Sequence, residues 1–144
     1  MNSMSQPSFN TSLRVTWVDT DAAGVVHYSN YFRFFERAEE EFYRHVGFDF
    51  TNLKERGLWF PRVEASCQYK KPAKYSDMLV IEVSVEELKE KSVKLGFKVV
   101  NEKTDDLLAF GHLVIVAADK QTGHATRIPV DIFDKLKPFA KQIL

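Results

Sequence analysis

Cysteine is almost missing from this chain. Cys67 stands alone among 144 residues, so no internal disulfide can form, and a reducing cytoplasm is the expected compartment. It alternates with Val63, Ala65 and Tyr69 as one strand face would, which reads as core packing rather than a nucleophile. An excess of charge is missing too: twenty basic and twenty acidic residues cancel, leaving no field that favours nucleic acid. No apolar run approaches a membrane span. Met1–Pro7 has no charged-then-apolar signal pattern, and residues 1–10 read as a flexible lead-in. His45, His112 and His124 are scattered without the paired spacing of a metal site, so neither metal nor other cofactor is expected. Glycine-rich phosphate loops and a Gly-x-Ser-x-Gly nucleophile elbow are absent. Repeats, low-complexity stretches and linkers are lacking as well, which points to one domain over 1–144.

What is present concentrates in residues 15–47. A short strand, with Leu13, Val15 and Trp17 alternating with Arg14 and Thr16, feeds a turn holding Asp19, Asp21 and Gly24. A long helix follows, with Ser29 or Asn30 as its cap. Tyr31, Phe34, Phe35, Ala38, Phe42 and Val46 recur at the three-or-four spacing of one buried face, and Gly47 stops the helix. Asp21 therefore sits just before a helix start, whose unpaired N–H groups can hold an anion. A base beside such a site is the minimum equipment for hydrolysing an acyl compound. A calcium loop is excluded, because Ala23 and Asn30 stand where ligands are needed.

Beyond a connector over 48–58, the period changes to two. Strands are expected around Val63–Tyr69, Leu79–Glu86, Val93–Val99 and Leu107–Ala118, the last apolar on both faces. Asn101–Asp106 is a hairpin connection, and Pro129 opens a tail over 129–144, expected to be helical and bent at Pro138. One strand, one long helix and four antiparallel strands make an α+β fold with a helix packed across a sheet.

The run Asp19-x-Asp21-x-x-Gly24-x-Val26-x-Tyr28-x-Asn30-Tyr31 resembles the signature of the 4-hydroxybenzoyl-CoA thioesterase family. The likeness extends through Pro61, Tyr75-Ser76-Asp77 and Lys91-Ser92. It implies a hotdog fold, in which a five-stranded antiparallel sheet wraps the long helix, and an acyl-CoA substrate hydrolysed to free acid and CoA. It also implies a homodimer or a dimer of dimers with a shared site. The order His27-Tyr28 is nearer the hydroxybenzoyl branch than the Tol–Pal-associated branch, which carries Tyr then His.

By this resemblance Asp21 is the general base or nucleophile, and Tyr28 polarises the thioester carbonyl through its backbone N–H. His27 is either a partner of Asp21 or a packed residue. Gly24, Val25, Val26, Asn30 and Tyr31 line the substrate site. Glu64 faces the polar side of its strand, either solvated or near the partner's site, and Lys89 and Lys91 lie in the turn where the family places a basic cluster for the nucleotide phosphates of CoA, with Glu90 interrupting it. Two rivals stay open: a hotdog dehydratase or hydratase, which needs a His paired with an acid, and a non-catalytic acyl-CoA-binding protein.

Overall fold

The two hydrophobic periods sort the chain into strands around one long helix. The computed structural model describes residues 7–48 and 50–144. The elements are β1 (Phe9–Arg14), α1 (Asn30–Val46), α2 (Phe50–Glu55), β2 (Leu58–Trp59), β3 (Arg62–Tyr69) and β4 (Met78–Leu88). They continue with β5 (Ser92–Asn101), β6 (Leu107–Val116), β7 (Ala118–Asp119) and α3 (Val130–Leu136). Five strands form an antiparallel sheet in the order β1-β4-β5-β6-β3, while β2 and β7 pair separately.

Helix α1 lies across the inner face. Its expected stripe is largely buried, with Phe35 stacked on Phe97 of β5 at 4.5 Å between ring centroids. Leu79, Ile81, Val83 and Val85 of β4 face the same core as Val93, Leu95, Phe97 and Val99 of β5. A bulge between Val85 and Glu87 then resets the alternation, so that Leu88 rather than Glu87 points inward. Gly111 is fixed by close approach: a Cβ there would lie 1.9 Å from the Ser66 carbonyl oxygen on β3.

Several expectations need correction. Trp17 is not a strand residue. The chain leaves β1 after Arg14, turns through a 3-10 segment at Trp17–Asp19, and leaves Trp17 77% exposed. Ser29 occupies the cap position of α1 but makes no side-chain capping bond. The connector holds a true helical turn, α2. Strand β1 begins at Phe9, inside the expected lead-in, because its backbone pairs with Val83 of β4; residues 1–6 lie outside the described residues. The inner row of β3 is not core: Val63 is 61% exposed, and Ala65 and Tyr69 are exposed too, although Cys67 is half-buried. A helix about 10–12 Å wide cannot cover five strands spaced about 4.8 Å apart, and β3 is the edge left over.

The tail starts as α3, tightens into a 3-10 turn around Pro138, and ends extended. Ala140 and Ile143 pair in parallel with Val85 and Leu88, along the part of β4 that β1 does not reach.

Candidate active site

Asp19 builds the turn. Its Oδ2 accepts the Thr16 amide at 2.8 Å and the Thr16 hydroxyl at 3.0 Å. Its backbone carbonyl accepts the His27 amide at 2.9 Å and the Asn30 side-chain amide at 2.8 Å. One buried residue thus ties the end of the first strand to the start of α1.

Asp21 is held differently. Its amide donates to the Val25 carbonyl at 2.8 Å and its carbonyl accepts the Gly24 amide at 3.0 Å, with Gly24 at φ +84°, where glycine is favoured. Oδ1 accepts the Ala23 amide at 2.8 Å and the Val25 amide at 3.5 Å. Among the described residues Oδ2 has no hydrogen-bond donor. The carboxylate is half-buried, anchored through one oxygen and open through the other.

The next residues are stitched in place. Thr20 bridges to Val26, Val25 bridges to Lys74, and the Val26 amide donates to Ala73 at 2.8 Å. The Asn30 amide donates to the His27 carbonyl, and the Ser29 amide donates to His27 Nδ1 at 3.2 Å. The Val26 and His27 amides are therefore engaged. Among the described residues the Tyr28 amide donates to no other group.

His27 stacks on Tyr28 at 4.3 Å and meets the Ser29 hydroxyl at 2.7 Å; no hydrogen bond joins it to Asp21. Tyr28 projects outward, 66% exposed, while its carbonyl accepts the Tyr69 hydroxyl at 2.9 Å. Tyr31 is buried edge-on between Phe34 and Tyr69, and burial pushes its phenol above the ordinary range. Burial likewise raises the Cys67 thiol.

Asp21, Gly24, Val25, Val26, His27, Tyr28, Asn30 and Tyr31 thus come together, and three expected residues do not. Glu64 is bound to His112 on the sheet face away from α1. Lys89 and Lys91 sit in the β4–β5 turn, about 33 Å along β4 from the Asp21 end. Among the described residues no three His, Cys, Asp or Glu side chains gather as metal ligands, and no helix is long and apolar enough to cross a membrane.

The sequence reading missed two features. Tyr69 was read only as a strand residue, and its hydroxyl reaches across to Tyr28. Glu39, on α1, is 1% exposed and binds both Arg62 and the Tyr43 hydroxyl. Burial is the main reason the Tyr43 phenol is raised well above its usual range. A Glu at the helical spacing of the core stripe was the signal available for this pair.

The five-stranded antiparallel sheet around one long helix is a hotdog fold, and the chain is a thioesterase of that fold. The chain belongs to the Thioesterase-like superfamily, which matches residues 15–137. The acyl-CoA thioester hydrolase YbgC of Escherichia coli is 29% identical over 134 residues, 93% of this chain and 99% of that protein. An Aquifex aeolicus relative is 45% identical over 75 residues, 52% of this chain and 59% of its own length. The solved structure of BH1999 gentisyl-coenzyme A thioesterase superposes with a TM-score of 0.77 at 34% identity, covering 86% of this chain and 98% of that one.

Proposed function

We propose that Asp21 drives the hydrolysis of an acyl-CoA thioester by this enzyme, releasing a free acid and CoA. The observation that carries the reading is the free Oδ2 of Asp21 on a carboxylate whose Oδ1 is fixed by the Ala23 amide. Oδ2 takes a proton from an attacking water, or itself attacks the carbonyl carbon and forms an anhydride that water opens. In both routes the Tyr28 amide stabilises the oxyanion, and the C–S bond breaks as CoA leaves. His27, oriented by Ser29 and stacked on Tyr28, shapes the helix start. Gly24, Val25, Val26, Asn30 and Tyr31 support the site rather than react. The lone Cys67 suits a cytoplasmic location.

A homodimer completes the site. Strand β3 has one unpaired edge and an exposed inner row, Val63, Ala65 and Tyr69, which a second copy would cover. Antiparallel pairing of two β3 edges reverses the partner. It carries Lys89 and Lys91 of the partner subunit from the far end of the sheet to the Asp21 end, where the phosphates of bound CoA would lie.

Asp21→Asn is the test, because it keeps shape and hydrogen bonding while removing basicity. Thiol release from acyl-CoA should fall by about 10²–10⁴-fold with little change in substrate binding. Near-normal turnover would remove Asp21 from the chemistry. Wild type that binds acyl-CoA but releases no thiol would leave a binding protein.

A further inference from the structure

A helix usually draws its first acceptor from the side chain at its cap, and α1 does not. Ser29 holds the cap position with φ −69° and ψ −22°, already helical, and its side chain makes no capping bond. A cap side chain reaches the first amides from an extended backbone instead. The acceptors come from His27, two residues earlier. Its Nδ1 accepts the Ser29 amide at 3.2 Å and meets the Ser29 hydroxyl at 2.7 Å, while its carbonyl accepts the Asn30 amide at 2.9 Å. The His27 amide in turn donates to the Asp19 carbonyl at 2.9 Å, which ties the residue to the turn that also carries Asp21.

The amides of residues 28, 29 and 30 open onto the helix start. His27 takes two of them. The third belongs to the peptide that joins His27 to Tyr28, a trans unit in which N–H and C=O point opposite ways. Because that carbonyl turns down to Asn30, the Tyr28 N–H turns out of the helix start. The imidazole also stacks on the Tyr28 ring at 4.3 Å, which steadies the residue it aims. Among the described residues no hydrogen bond joins the ring to Asp21, so its bonds serve the backbone rather than the carboxylate.

We infer that His27 is the positioning residue of the oxyanion site: by accepting the Ser29 and Asn30 amides it fixes the turn in which the Tyr28 N–H points at the thioester carbonyl. The inference rests on the reading that this amide stabilises the oxyanion. A donor held in place before the reaction stabilises developing charge far better than one that must first be turned.

Two substitutions separate the acceptor from the ring. Asn places Oδ1 where His carries Nδ1, and its side chain readily takes an amide two residues on; Phe keeps a stacked ring and has no acceptor. His27→Phe should lower kcat for thiol release from acyl-CoA by about tenfold to a hundredfold with KM nearly unchanged, the mark of an interaction made in the transition state. His27→Asn should recover most of that loss. Hydrogen exchange of the Ser29 amide, followed by NMR on the intact protein, should quicken about tenfold or more in His27→Phe and stay near wild type in His27→Asn. Circular dichroism confirms that both variants fold. An unchanged kcat in His27→Phe, an equal loss in both variants, or Ser29 exchange that is the same in all three proteins overturns the positioning role. If wild type hydrolyses no thioester but Ser29 exchange follows the acceptor, His27 still builds the turn and the catalytic reading alone falls.

Discussion

The Tyr69 hydroxyl donates to the Tyr28 carbonyl at 2.9 Å, joining the edge strand to the helix start across 41 residues. The bond fixes the peptide that follows Tyr28 and so the aim of the neighbouring free amide. Tyr69→Phe removes one hydrogen bond worth about 0.5–1.5 kcal/mol. Turnover should fall by up to about tenfold, with KM nearly unchanged and the melting temperature lowered by a few degrees. A loss confined to stability would make the bond a brace with no influence on the oxyanion.

Arg62 reaches Glu39 because a bulge between Arg62 and Glu64 turns its side chain inward. Arg62→Met would leave a carboxylate buried and uncompensated, costing about 3 kcal/mol, near the low end for buried pairs because the Arg62 side chain is a third exposed. Adding Glu39→Met should restore most of that loss. Urea midpoints of the single and double variants check it, and an unrescued double variant would refute the ionic account.

Asp131 carries the acid-sensitive contact. The Arg56 hydrogen bond holds its carboxyl down to about 2. Unfolded, the group titrates near 3.9, so the folded state is favoured above that value and loses the contribution as pH falls from about 4 to about 2. The pair is exposed, so the effect is small and weakened by salt. Arg56→Ala should lower the urea midpoint at pH 7, with the gap to wild type shrinking steadily as pH falls through about 4 towards about 2; a gap that stays constant with pH would point to lost packing.

Shared sites predict complementation between subunits. Mixing Asp21→Asn chains with Lys89→Ala/Lys91→Ala chains should give heterodimers with one intact and one doubly impaired site. Low-KM activity absent from either parent should appear on mixing and exchange. Activity equal to the sum of the parents would place each site within one chain.

The sequence by itself determined the local features. The stripe from Tyr31 to Phe42 needs only helical periodicity, the rows from Leu79 to Val85 and from Val93 to Val99 need only alternation, and Asp21 before a helix start is set by neighbours in the chain. Local chemistry also separates Asp19, whose side chain closes its own turn, from Asp21, which keeps an oxygen free. Tertiary structure decided everything that depends on residues far apart in the chain. Glu39 and Arg62 lie 23 residues apart, and nothing local pairs them until a bulge on an edge strand meets one face of a helix. Tyr69 becomes part of the site only because antiparallel order returns its strand to Tyr28. Lys89 and Lys91 are placed far from Asp21 by the length of β4, and Glu90 becomes the anchor of Arg127 only when the tail folds back. Trp17 left the strand because the chain turns where Asp19 takes the Thr16 amide and hydroxyl and Thr20 takes the Trp17 carbonyl, a competition that alternation alone does not register.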